Sequence, residues 1–265
     1  MGAHSGLLAF HDWPRRLSKA WRAGGDALGD LVFPWRCAVC EAAGPGLREP
    51  FCAPCRGVLR SRAAEIQRNS CPRCAMPVGP FADLDKGCSE CRGRPLGFDA
   101  AVALGYHEDP WRRLCLKLKK EREAWLAPWM TGLLAEARAT ELALLPADAW
   151  VVPVPLHWLR RLHRGYNQSD ALAQGLARRL GLETHRPIRR IKYTEHLVGM
   201  NLTKRAEIVR GAFQVDARRG PDLKGRTVLL VDDVLTTGAT TGAAARALKR
   251  AGAARVVVAV LSRAL

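Results

Sequence analysis

The sequence predicts an α/β protein, a parallel sheet flanked by helices, preceded by a small cysteine-rich module. Three observations predict it. Short, continuously apolar strand candidates alternate with helix candidates through the C-terminal part of the chain, the pattern of a parallel sheet covered on both faces. Eight of the nine cysteines fall into four C-x-x-C pairs between residues 37 and 91. The apolar run Val228–Val231 leads straight into two aspartates, a threonine-rich turn and an alanine-rich helix.

Each element has its own signal. In residues 1–36, Leu17, Ala20, Trp21, Leu28 and Leu31 recur at helical spacing, interrupted by Gly24-Gly25 and closed by Pro34. This predicts an amphipathic helix docked on the body. Residues 37–95 form the cysteine segment, too poor in apolar runs to build a core without metal. From Phe98 to Leu265 the texture is that of a larger domain. Ala100–Tyr106 reads as a strand, and Trp111, Leu114, Cys115 and Leu118 mark a helix face. The unpaired Cys115 reads as a small buried apolar residue. Trp125–Leu145 reads as one helix ended by Pro146. Trp150–Val154 is a strand, Ser169–Leu180 a helix stopped by Gly181, and Thr227–Val231 a strand. Thr240–Ala251 is a helix closed by Gly252, and Ala254–Leu261 the last strand. Ligands in such sheets sit at the carboxyl ends of the strands.

Charge and hydropathy narrow the function classes. Lys and Arg number 42 against 25 acids, a formal balance of +17, which favours phosphate-bearing partners without separating nucleic acid from a small phosphorylated molecule. No apolar run approaches the roughly eighteen residues of a membrane span. Gly6–Phe10 is too short for the core of a signal peptide. The expectation is a cytoplasmic protein with no membrane insertion.

Paired cysteines in such a chain read as metal ligands rather than disulfides. Cys37, Cys40, Cys52 and Cys55 supply four thiolates, and Cys71, Cys74, Cys88 and Cys91 four more. Each set suits one closed, tetrahedral, structural Zn²⁺ site, so two zinc ions are expected in a double ribbon. Pairing within each half is simplest, cross-braced pairing is the alternative, and an iron–sulfur cluster is a rival occupant. Arg48, Arg56, Arg60, Arg62, Arg68, Arg73, Arg92 and Arg94 lie in or near this segment. They could face single-stranded DNA, with Phe51 or Phe81 stacking on bases, or be solvated charges on a scaffold.

The most informative stretch is Val228–Thr240. A helix start offers unpaired N–H groups and partial positive charge to a phosphate. Gly238 permits close backbone approach, and Thr236, Thr237 and Thr240 add hydroxyls. Asp232 and Asp233 can accept hydrogen bonds from vicinal hydroxyls or bind Mg²⁺. Both features in one turn fit a sugar phosphate.

Position by position this stretch resembles the phosphoribosyl pyrophosphate (PRPP) motif of type I phosphoribosyltransferases. The resemblance implies that fold. It also implies ribose hydroxyls on Asp232 and Asp233, and the 5′-phosphate on Thr236, Thr237, Gly238, Ala239 and Thr240. Further upstream, Val152–Leu156 is followed by Arg160, Arg161 and Arg164, candidates for pyrophosphate, since arginine forks match phosphate oxygens. V-P-V-P-L, R-G-Y-N-Q (Arg164–Gln168), R-G-A-F (Arg210–Phe213) and the Asp-Asp turn, after paired cysteines, together look like the ComF family. Lys117 and Lys119 match that family's basic segment. Between the anchors Thr194 and Arg205 match, whereas Leu197, Met200 and Ile208 depart from the expected Gln, Leu and Asn. That region resembles the loop that closes over PRPP, where Lys204 and Arg205 could reach pyrophosphate. The resemblance implies Mg²⁺-dependent phosphoribosyl transfer to an unidentified acceptor, with Asp233 a contributor to catalysis alongside Asp232. It implies alternatively a competence protein that handles single-stranded DNA beside DNA-uptake machinery proteins.

Overall fold

The computed structural model describes residues 36–43, 49–192, 208–216 and 222–265. The helix expected in residues 1–36 lies outside them, as do Lys204 and Arg205. The chain divides into two compact units, Met1–Arg56 and Gly57–Leu265. The second cysteine group therefore shares a unit with the sheet. Among the described residues, no helix is long and apolar enough to cross a membrane.

Helix α1 (Ala53–Arg68) carries Cys55, the last cysteine of the first group, in its first turn and buries Leu59, Ala63 and Ile66, one face at i, i+4, i+7. The sheet follows with β1 (Ala100–Tyr106), β2 (Trp150–Pro153), β3 (Glu183–Thr184), β6 (Thr227–Leu235) and β7 (Arg255–Arg263). These are five parallel strands in the order β1-β7-β6-β2-β3. A short antiparallel pair, β4 (Ile188–Arg190) and β5 (Phe213–Val215), stands apart.

Helices α2 (Trp111–Lys117), α3 (Ala127–Ala137), α5 (Trp158–Arg164) and α6 (Gln168–Leu180) precede β6, and α7 (Ala239–Arg250) follows it. Helices α2, α3 and α6 pack against the sheet, as does α7. Val228, Leu230, Val256, Val258 and Val260 share a core with Ala244, Ala245 and Leu248 of α7. Coverage on both faces explains why these strands are apolar throughout rather than alternating. Asn167 caps α6, its Oδ1 accepting from Ser169 N–H, and Gly181 ends the helix in the left-handed region at φ 68°.

The expected helix Trp125–Leu145 is corrected. A 3₁₀ turn (Glu121–Leu126) comes first, then α3, and then a short α4 (Ala139–Leu142). Pro128 is tolerated only in a first turn, which delays the start of α3. Arg138, with φ −118° and ψ 25°, breaks the run. Its side chain is buried, donating Nε to Ala103 O at 2.8 Å and Nη1 to Glu141 Oε1 at 3.0 Å. Because β1 is an edge strand, its carbonyl groups need partners, and Arg138 supplies one.

A close approach fixes α2 on the sheet. A Cβ at Gly105 would lie 2.1 Å from Cδ1 of the buried Trp111. Gly105→Ala should destabilise the fold by about 3 kcal/mol through overpacking. Urea unfolding should show a lower midpoint at unchanged m.

Candidate functional site: the Asp-Asp turn and its supports

Strand β6 does not end at Val231. It runs on through both acids, with Asp232 opposite Val260 and Leu235 opposite Arg263. The sheet itself thus holds the carboxylates, rather than the start of a loop. Gly238, at φ 77°, then turns the chain into α7. Thr236 is exposed and residues 237–240 are half-buried, so the turn is open to solvent. Thr237 Oγ1 accepts from Ala239 N–H at 3.3 Å.

Helix α6 orders the two acids from the side. Ser169 Oγ donates to Asp232 Oδ1 at 2.8 Å, and that oxygen also accepts from Asp233 N–H at 2.9 Å. Gln168 Nε2 donates to Asp233 Oδ2 at 3.4 Å, and Lys119 Nζ lies 3.8 Å from the same oxygen. Asp233 is buried. Burial first, and then the Asp233 charge, push the Asp232 carboxyl up to about 8, against the Ser169 bond. Two adjacent acids with one ammonium nearby form a site that would welcome a cation or a row of hydroxyl donors.

Asn167 Nδ2 donates to Val154 O at 3.1 Å, tying α6 to the end of β2. Arg164 Nη1 donates to Gln168 Oε1 at 3.5 Å, and Gln168 in turn contacts Asp233. Arg160 is half-buried and Arg161 exposed on α5. Arg161 lines a cavity of about 700 Å³ with Pro155, Trp158, Tyr166, Arg186 and Arg190. That cavity lies beside the carboxylates, and neither Asp232 nor Asp233 lines it. Cys115, fully buried, is pushed up to about 12 by burial and then by Asp233, which suits an inert thiol.

Sequence reasoning missed the supporting role of Ser169 and Gln168, and it missed Arg263, which lies under the turn. Arg263 is buried, with Nη1 donating to Leu235 O at 2.8 Å and also to Thr236 O.

The cysteines converge in two groups, Cys37/Cys40/Cys52/Cys55 and Cys71/Cys74/Cys88/Cys91. Pairing is within each half rather than cross-braced. Tetrahedral thiolates at about 2.3 Å from zinc stand about 3.8 Å apart. The Sγ–Sγ separations fit: Cys40–Cys52 3.7 Å, Cys71–Cys91 3.7 Å, Cys74–Cys88 3.5 Å and Cys88–Cys91 3.8 Å. Both groups repeat one knuckle, with Cys37 N–H on Ala42 O at 2.9 Å and Cys71 N–H on Met76 O at 2.8 Å. Burial opposes ionisation of Cys37. N–H bonds from Cys40, Cys52 and Val39 outweigh it and bring the thiol down to about 6. Cys71 comes down to about 7, burial being outweighed by bonds from Cys88, Arg73 and Cys74. Burial and neighbouring thiols push Cys55, Cys74 and Cys91 the other way, so each group holds one readily ionised thiol and keeps protons that a bound zinc ion would displace. Phe51 is 3% exposed and cannot stack on bases, whereas Phe81 is 98% exposed.

Residues 168–264 match the phosphoribosyl transferase domain, and residues 28–92 match the double zinc ribbon domain. "DNA utilization protein YhgH" of Escherichia coli K12 is 32% identical over 242 residues, covering 89% of this chain and all of that protein. "Competence protein F" of Haemophilus influenzae is 27% identical over 88% of this chain and 98% of that protein. "Competence protein ComFC" of Bacillus subtilis is 26% identical over 79% of this chain and 82% of that protein. Similarity of this extent, joining a double zinc ribbon to a phosphoribosyltransferase-like sheet, shows that the chain belongs to the ComF family.

Proposed function

We propose that the chain binds PRPP with Mg²⁺ at the Asp-Asp turn and transfers the phosphoribosyl group to an unidentified acceptor. One observation carries this reading. Two carboxylates, held by Ser169, Gln168 and Lys119, sit near the end of a parallel strand that runs to Leu235, just before a solvent-open turn that starts α7. Asp232 and Asp233 receive the ribose 2′- and 3′-hydroxyls. Thr236 through Thr240 and the start of α7 receive the 5′-phosphate. Arg160, Arg161 and Arg164 are the pyrophosphate candidates among the described residues, and Lys204 and Arg205 lie outside them. Mg²⁺ would neutralise the leaving pyrophosphate, and the basic residues add fixed electrostatic stabilisation as charge separates at C1. Asp233, with Lys119 Nζ 3.8 Å from its Oδ2, contributes to catalysis alongside Asp232.

Calorimetric titration of the zinc-loaded chain with PRPP and Mg²⁺ tests the binding step, and a flat titration removes the proposal. The pH dependence follows from Asp232. A carboxyl raised to about 8 must lose its proton to face a cation or to accept from hydroxyls with charge-assisted strength. Affinity should therefore rise as pH rises, by about tenfold from pH 7 to pH 9, and level off above the pKa. The phosphate's own ionisation near pH 6 is complete over this window. In Asp232→Asn the profile should be flat.

A second reading has its own support. The relatives' names speak of competence and DNA utilization. Phe81 is fully exposed in a ribbon that carries Arg73, Arg92 and Arg94. Single-stranded DNA would stack on Phe81 while the arginines meet its phosphates. Phe81→Ala should weaken oligonucleotide binding by roughly fivefold to a hundredfold, the worth of one stacked base. Fluorescence anisotropy that shows equal affinity for both chains rejects this reading.

A further inference from the structure

We infer that the second four-cysteine centre positions the phosphate turn, and that Arg263 is the positioning residue joining them. The inference rests on the reading that Thr236–Thr240 hold a phosphoryl group. Arg263 ends β7 and is 9% exposed. Its Nε donates to the carbonyl of Cys74 at 2.8 Å, and its Nη1 donates to Leu235 O at 2.8 Å and to Thr236 O. One planar guanidinium thus binds the metal knuckle and the first residues of the turn.

A second contact is independent of that arginine. Leu96-Gly97, leaving the cysteine cluster, crosses the first turn of α7 backbone on backbone. A Cβ at Gly242 would lie 2.2 Å from Leu96 O, and one at Gly97 2.6 Å from Gly242 O. Phe98 also supports the turn, its ring 3.5 Å from where a Cβ of Gly238 would stand. The cavity between Cys74, Cys91, Thr236, Gly238 and Arg263 holds about 10 Å³, barely one water. A displacement at the cysteine cluster therefore passes to the turn rather than into solvent.

All four thiols of this centre are buried. A bound metal fixes the knuckle and hence the Cys74 carbonyl. Without it the guanidinium keeps its hold on Leu235 and Thr236 but loses a fixed anchor. Metal binding and phosphoryl binding then favour one conformation, and such coupling is reciprocal.

Amide hydrogen exchange on the full chain, loaded with two zinc ions, tests this. Arg263→Met should speed exchange at Ala239 and Gly242, whose N–H groups bond to Thr237 Oγ1 and Gly238 O within the turn, at least tenfold while zinc stays bound and Val228–Val231 keeps its protection. Arg263→Lys should recover part of the loss. Chelating zinc from the wild-type chain should reproduce the effect. Turn amides that keep their protection in all of these, or lose it only together with the Val228–Val231 strand, overturn the inference. Ribose 5-phosphate should slow zinc release to a chromogenic chelator at least fivefold in wild type, and not in Arg263→Met. If ribose 5-phosphate fails to bind while the turn still responds to Arg263 and zinc, the coupling stands and the phosphoribosyl reading falls. If it binds and the turn does not respond, the reverse holds.

Discussion

Replacing Asp232 and Asp233 together by Asn should lower affinity for PRPP at least 100-fold, and Asp232→Asn alone should raise the melting temperature of the unliganded protein. Hydrogen bonds to charged groups are worth about 1.5–3 kcal/mol each. Two such bonds to ribose hydroxyls, lost together, correspond to about 10²–10⁴ in affinity. The stability effect has the opposite sign for a definite reason. In the unfolded chain Asp232 titrates near 3.8, and in the fold near 8, so folding favours its protonated form. The stability that proton supplies is complete below about pH 4 and drains away as pH rises through 8. Asn keeps an oxygen for Ser169 Oγ and Asp233 N–H without that cost. The shift from 3.8 to about 8 sets an upper limit of about 5–6 kcal/mol on the gain above pH 8, and even about 1 kcal/mol of it would appear as roughly 2–4 °C, shrinking towards acid pH. A binding site that weakens its own fold is a common trade between function and stability. Melting temperatures of the two chains that stay equal at every pH would remove this account of Asp232.

Loss of zinc from Cys71/Cys74/Cys88/Cys91 should be the largest stability effect, on the order of 5 kcal/mol or more, since structural zinc contributes its binding energy to folding. The two centres differ in access. All four thiols of the second centre are buried, whereas Cys40 of the first is exposed and Cys52 and Cys55 are half-buried. A chelator should therefore remove zinc in two phases, the first from Cys37/Cys40/Cys52/Cys55. Cys40→Ser should abolish the fast phase and leave the slow one. The slow phase should track loosening of the Thr236–Ala239 turn and a lower denaturant midpoint for residues 57–265, with Val228–Val231 still folded in the absence of denaturant, because Cys74 O anchors Arg263 and Pro72 O accepts from Ala101 N–H at 3.0 Å in β1. Denaturant midpoints that coincide with and without zinc, thiols reduced in both, would contradict this.

What the sequence displayed depended on how local each feature was. The strand, acids, turn and helix of Val228–Arg250 occupy one continuous stretch, and the apolar run, Gly238 and alanines announced them. Paired cysteines were equally plain, because C-x-x-C is itself the ligand geometry. The supports of the site were hidden by distance along the chain. Ser169 reaches Asp232 across 63 residues, and Arg263 reaches Cys74 across 189. A serine after a cap and an arginine ending a strand look like many others until the fold assembles. Helix α1 was legible in Leu59, Ala63 and Ile66, but the cysteine spacing on either side drew attention from it. Arg138 shows the other kind of difficulty. Nothing in its neighbourhood stops a helix, and only the unpaired edge of β1 makes the break worthwhile.

A crystal structure of the zinc-loaded chain with PRPP and Mg²⁺ tests the central claim most directly. The sugar's vicinal hydroxyls should lie within hydrogen-bonding distance of Asp232 and Asp233, with the 5′-phosphate cradled by residues 236–240. Density for the ligand in the arginine-lined cavity beside β2 instead, with both aspartates still bound only to Ser169, Gln168 and Lys119, would contradict it.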